Sequence, residues 1–210
     1  MFQISTKSFS EIISIFQPAK FAELLLVISL NRPGASILPR EVSQIHSFAE
    51  IEKNRWFESE NINEILSPTY GRIVFEEQVS QILSYCLSVD FAEAELLRRN
   101  LKIIVNDDKD RRKFKLEFIS KTTGKLKSFE KDILWEKIIK SIPYLYNKAH
   151  ATSYTYLTYY TAFLKANFFA DALTYFLHRN VGNYKSTILL CEEAVLMGYK
   201  LEISDINTSF

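Results

Sequence analysis

Glycine and proline occur only five times each in 210 residues. Tight turns draw heavily on these two residues, so a sandwich or barrel of many short strands is a poor fit and a helical architecture is expected. The hydrophobic share of 47% and the charged share of 24% are those of an ordinary globular chain, which excludes disordered and collagen-like classes.

Hydrophobic periodicity supports helices along most of the chain. Phe9, Ile12, Ile13 and Phe16 recur at i, i+3, i+4 and i+7, placing them on one face before Pro18 stops the run. Phe21–Leu30 is apolar nearly all round, the pattern of a helix buried inside a larger body, and Asn31-Arg32-Pro33-Gly34 ends it. From Ala35 to Pro68 the pattern weakens into a connector with short helical pieces. Thr69–Phe75 is rich in strand formers, and Glu76-Glu77-Gln78 then opens an amphipathic helix carrying Val79, Ile82, Leu83, Cys86 and Leu87. A helix is predicted over Phe91–Leu101, followed by four more over Asp132–Ile142, Ala149–Phe168, Ala170–Arg179 and Tyr184–Tyr199, the last closing at Gly198 as its C′ residue. The expected class is mainly α, with at most short β segments near Thr69–Phe75.

A net charge of +1 excludes a whole-chain basic field. The balance is uneven, however. Asn100–Lys131 holds ten Lys and Arg against five Asp and Glu, a local +5 that leaves −4 for the remainder. This segment is the expected boundary between an N-terminal part, 1–131, and a C-terminal part, 132–210. Arg111, Arg112, Lys113 and Lys115 stand within it, and any phosphate-binding surface is expected to be local in this way.

Cys86 and Cys191 lie far apart in apolar stretches without metal-ligand spacing, so a reduced, cytoplasmic chain without structural zinc is expected. The longest apolar run, Leu24–Leu30, is far short of the ~20 residues that cross a bilayer, and Met1–Ser5 lacks a basic leader, so no membrane partner or signal peptide is expected. Asp107-Asp108-Lys109-Asp110 looks like the start of a calcium loop, but Arg112 and Phe118 stand where the glycine and the closing glutamate belong, so a solvated loop is the expectation. Glu76, Glu77, Glu93 and Glu95 are candidate metal carboxylates only if they converge, and a metal site is not expected. The aromatic series from Tyr154 to Phe176 suits either base stacking or, more commonly at helical spacing, core. Arg98-Arg99 serves either as a dipole-complementing surface pair or as a bidentate clamp for a triphosphate.

Several segments together resemble the bacterial C-family replicative polymerases, the DNA polymerase III α subunits. Phe2–Ser5 resembles the family's FQLES, Gln17–Glu23 its KPxxFEDL and Asn31–Ala35 its YRPGP. Pro68–Val79 is similar to PTYGIIVYQEQV, Ala94–Arg99 to ADLLRR, Asn147–Tyr154 to NKSHAAAY and Thr161–Ala166 to TAWLKA, with Met197-Gly198 and Asp205–Asn207 matching positions near the end. The order of the matches is the family's own.

The resemblance implies a largely helical fingers domain that closes over an incoming deoxynucleoside triphosphate and contacts the primer-template. It implies triphosphate contacts at Arg98, Arg99 and Lys102, a nucleotide cleft lined by Asn147, Lys148 and His150, and candidate DNA contacts in the basic segment at Arg111, Arg112, Lys113 and Lys115. In the family the palm aspartates that hold two magnesium ions lie before this stretch. The chain therefore resembles an excised or internally started piece, with no catalytic or metal residue of its own, inactive alone and working with a remaining polymerase chain. The family's AMGKK after the arginines is Asn100-Leu101-Lys102-Ile103-Ile104 here, and the glycines of FAGYGFNK are replaced in Ile142–Lys148. These departures favour an alternative, a non-catalytic helical assembly protein or the decayed product of a split polymerase gene.

Overall fold

The computed structural model describes residues 7–30 and 56–202. The expectations at Phe2–Ser5, Asn31–Ala35, the connector up to residue 55 and Asp205–Asn207 lie outside the described residues. Among these there are ten α-helices and two short 3-10 turns, and the strand formers near Thr69–Phe75 yield a single β-bridge residue, Phe75. The chain is mainly α. Packing divides it into two compact units whose border falls between Tyr156 and Leu157.

The first unit begins with α1 (Lys7–Phe16) and α2 (Phe21–Leu30). Phe9, Ile12 and Phe16 are buried as the periodicity predicts, and Leu25, Leu26, Val27, Ile28 and Leu30 join them in one apolar cluster with Val74, Phe75 and Ala151. Between the helices Gln17 takes a positive φ of 46°, and the Glu23 carboxylate then accepts hydrogen bonds from the backbone of Ala19 and Lys20, closing the start of α2.

A second cluster surrounds the helix Glu76–Leu87. It is built by α3 (Glu60–Leu66), a 3-10 turn (Ser67–Thr69), α4 (Glu76–Leu87), α5 (Phe91–Ile104), α6 (Asp108–Lys121) and α7 (Ser128–Ser141). Val79, Ile82, Leu83 and Cys86 of α4 are sealed from solvent against Ile62, Leu66, Ala94, Leu101, Phe118 and Ile138. Trp135 lies between Phe114 and Phe118, with ring centroids 5.9 and 5.5 Å away. The basic segment thus contributes core aromatics to this unit.

One expectation is corrected here. Asp107–Asp110 is not a loop: Asp107 is the N-cap of α6, its carboxylate accepting from the amides of Lys109 and Asp110, and Asp108 and Asp110 occupy the first turn. Acidic side chains at that end satisfy otherwise unpaired amides and oppose the helix dipole.

The remaining helices are α8 (Lys148–Asn167), α9 (Phe169–Arg179) and α10 (Tyr184–Leu196). The second unit runs from Leu157. Its α10 ends as expected at Gly198, which has φ 84° and is closed by a hydrogen bond from the Tyr199 amide to the Ala194 carbonyl. The aromatic series is not the core that helical spacing suggests. Tyr159, Tyr160, Phe163, Phe168 and Tyr175 are 45–61% exposed, and Phe169 is the aromatic that the unit buries, against Tyr199 at 5.0 Å. A short helical unit has too little mass to enclose so many rings.

Candidate functional site

The start of α4 is fixed by one side chain. Gln78 accepts hydrogen bonds through Oε1 from the amides of Val74 (2.9 Å) and Phe75 (3.0 Å), and through Nε2 donates to Thr69 Oγ1 (2.7 Å), Ile65 O (3.1 Å) and Arg72 O (3.3 Å). Phe75, the N-cap, offers no side-chain acceptor, so Gln78 satisfies the N-cap amide from inside the helix. The turn that reaches it needs Gly71, whose φ of +76° and contact with the Trp56 indole leave no room for a Cβ. The Pro68–Val79 motif is therefore a scaffold that sets where Glu76 and Glu77 stand.

The same start of α4 gathers distant segments. Phe75 forms a bridge with Tyr146: the Glu76 amide donates to Tyr146 O (2.9 Å) and the Tyr146 amide donates to Val74 O (3.0 Å). This brings Lys148, two residues on, against α4. The Glu77 carboxylate accepts from the Lys148 amide through both oxygens at 3.0 Å, and Asn147 Oδ1 accepts from the His150 amide at 2.9 Å, so two side chains close the start of α8. Lys148 Nζ stands 5.9 Å from the Phe75 ring centroid. His150 is exposed and sits edge-on to Tyr154, 4.5 Å between centroids. Lys148 and Glu77 share a cleft of about 620 Å³ with Phe75, Gln81, Tyr85 and Phe91.

On the other flank of α4 lies the arginine pair. Arg98 Nε and Nη2 fork onto Glu95 at 2.9 and 2.6 Å, and Nη1 approaches Glu76 at 3.4 Å. Arg99 Nε donates to the same Glu95 at 3.1 Å, and the Ser80 hydroxyl donates to its other oxygen at 2.7 Å. The hydrogen bond from Arg98 leads the causes that hold the Glu95 carboxyl down at about 2, and the same bond raises Arg98. The Arg98 side chain is only 6% exposed whereas that of Arg99 is 68% exposed. Lys102 is exposed one turn later on α5. Glu95 was not among the predicted binding residues, although its i+3 and i+4 spacing to two arginines was readable.

The four candidate DNA contacts separate into two kinds. Arg111 is engaged by Val105 O and by Asp108, and Lys115 by Asp132 (2.9 Å) and Glu136 (3.7 Å), so both tie α6 to its surroundings. Arg112 and Lys113 are exposed. Further cations of the segment turn inward: Lys131 is buried and donates to Ile119 O and Thr123 Oγ1, and Lys125 reaches Tyr85 O and Ser88. Among the described residues no three His, Cys, Asp or Glu side chains gather as a metal cradle, and no helix is long and apolar enough to cross a membrane.

Comparison with known proteins bears on the family of the chain. Residues 1–125 match the model of the bacterial DNA polymerase III alpha subunit finger domain. The whole chain aligns with the DNA polymerase III subunit alpha of Treponema pallidum at 30% identity and with that of Staphylococcus aureus at 28%, covering 18% and 19% of those proteins. For Campylobacter jejuni the identity is 27% over 99% of the chain and 17% of the relative. The chain thus spans less than a fifth of the length of the relatives it matches, and over that stretch it belongs to the finger-domain family of the bacterial DNA polymerase III α subunit.

Proposed function

We propose that this chain is the part of a DNA polymerase III α subunit that holds the incoming deoxynucleoside triphosphate and touches the primer-template during replication, a nucleotidyl transfer completed by residues outside it. The observation that carries the reading is that two of the implied binding residues from separate stretches of sequence, Arg98 and Lys148, meet the first turn of α4, Arg98 at Glu76 and Lys148 at Glu77.

The reaction is attack of the primer 3′-oxygen on the α-phosphate with pyrophosphate leaving. Arginine side chains and Lys102 offset charge accumulating on the leaving group, the electrostatic work that phosphoryl transfer demands of a protein. Lys148 and His150 line the nucleotide cleft, and Arg112 and Lys113 add phosphate contacts along the template. Magnesium ions supply Lewis-acid chemistry in the complete enzyme. The three carboxylates at this site do not fit such ions, since Glu76 and Glu95 are spent on Arg98 and Glu77 on the Lys148 amide. In this reading the chain supplies binding, and polymerisation belongs to the complete enzyme. The two free cysteines, Cys86 and Cys191, suit a reducing cytoplasm.

A second reading, a helical subunit that keeps the fold without the ligand, is favoured by one observation: Arg98 is already neutralised by two carboxylates. Anisotropy of a labelled primer-template, titrated at low salt with and without a deoxynucleoside triphosphate, separates the two. The polymerase reading expects nucleotide-dependent binding that weakens on Arg99→Ala with Lys102→Ala, both exposed positions; binding indifferent to that double change removes it.

A further inference from the structure

Four hydrogen bonds converge on the Glu95 carboxylate: two from Arg98, one from Arg99 and one from Ser80. That fills the roughly four lone-pair positions of an ionised carboxylate. The cluster also contains Glu76, so two arginines face two carboxylates and present no net charge to an approaching anion. Its members are not equally held. Arg98 is almost wholly buried and shared by both acids, and removing it from them would strand buried charge. Arg99 is largely exposed, and among the described residues only its Nε is engaged, by Glu95. Exchanging one exposed ion-pair partner for another costs little, and a phosphate oxygen pair matches the guanidinium fork at least as well as a carboxylate does.

We propose that Glu95 is an internal anion that keeps the arginine pair occupied, and that a polyphosphate binds by taking Arg99 from it while Arg98 stays anchored. The pair thereby divides its work. Arg98 is a buried post that immobilises Glu95, and Arg99 is the cation released to the ligand, so Glu95 sets how tightly the finger holds phosphate before any other contact forms. This rests on the polyphosphate reading of the pair given above.

The test is calorimetric titration of inorganic tripolyphosphate into the 210-residue chain. Glu95→Gln is expected to tighten binding by about three- to fivefold, the worth of one exposed charge pair, and Glu95→Gln with Arg99→Ala to cancel the gain. Glu93→Gln, which removes an exposed acid from the same helix, is expected to give no gain. An unchanged or weaker affinity in Glu95→Gln, a gain that survives loss of Arg99, or an equal gain in Glu93→Gln overturns the proposal. If Arg99→Ala still weakens the wild-type affinity in those cases, the polyphosphate reading stands without it; if tripolyphosphate binds none of the proteins, both fall. Guanidinium NMR of the unaltered chain gives a check that no folding defect can confuse. The Arg99 Nε–H resonance is expected to shift on saturation while that of Arg98 holds, and the reverse order refutes the division of work.

Discussion

Replacing Gln78 by leucine keeps an extended buried side chain while removing five hydrogen bonds at once. The cost comes chiefly from the donors left behind. Val74 and Phe75 are 7% and 3% exposed, so their amides lose the Oε1 acceptor with little access to water. A buried donor stranded in this way costs about 1–3 kcal/mol. The Thr69 hydroxyl is cushioned because it also donates toward Leu66 O and Arg72 O. Two stranded amides give an expected loss of about 4 kcal/mol, a large fraction of the ~5–15 kcal/mol that holds a domain together. Urea unfolding followed by tryptophan fluorescence reads it directly, since Trp135 is buried between two phenylalanines and reports loss of the α4 core. The midpoint should fall sharply with the slope unchanged. A loss below about 1 kcal/mol would refute the reasoning, because it would mean that water already serves those two amides.

Gly71→Ala combines a positive φ with a Cβ placed 2.4 Å from Trp56 Nε1, so a loss of at least about 1 kcal/mol is expected together with a changed Trp56 emission, measurable in the same urea experiment. The Glu95 carboxyl is held at about 2, below its ordinary 4.5, so its contribution to stability is complete above that ordinary value and fades as pH falls toward 2; unfolding free energies from pH 6 to 2 should drop more steeply in the wild type than in Glu95→Gln, and parallel curves would deny the interaction. Burial pushes the Cys86 thiol up to about 12, whereas Cys191 is half-buried on α10; an aromatic disulfide reagent at pH 8 should titrate one thiol in the native chain and two in urea. Phe118→Ala should cost about 3–5 kcal/mol by emptying the space beneath Trp135, with fluorescence of that residue as the readout.

Helix positions were open to reading because apolar periodicity is a local property. Phe9, Ile12 and Phe16, the wholly apolar Phe21–Leu30 and the stop at Gly198 all express preferences held within a few residues. The α6 start was misread since acids before a basic run look like a solvated loop until Asp107 is seen capping amides. Burial in the second unit was misjudged for a different reason: spacing shows which rings share a face, but not whether enough chain exists to cover that face. For the site, the resemblance named Arg98, Arg99, Asn147, Lys148 and His150, and the structure brings the residues flanking α4 together. The grip of Glu95 on both arginines is written in its i+3 and i+4 spacing, but the burial of Arg98, its share of Glu76 and the hold of Gln78 on Ile65, Thr69 and Arg72 are not, because they depend on how separate segments meet.

The bridge from Phe75 to Tyr146 and the grip of Glu77 on the Lys148 amide each join positions 71 residues apart. Most of the first unit can form by neighbouring helices meeting across short connections, which is fast and inexpensive in chain entropy. The exceptions are the closures of this length, here and where the Glu58 amide meets Glu130 and Lys137 reaches Gly71, and they have to wait until α4 to α7 are in place. The Glu77 carboxylate that holds the Lys148 amide is on the exposed side, so local opening is expected there before the α4 core gives way, and a modestly destabilised variant would retain its helical signal while Lys148 had already parted from α4. Circular dichroism would then report an intact protein at a temperature where the binding residues no longer share a cleft, and amide exchange at Lys148 becomes the sensitive gauge of whether the site exists.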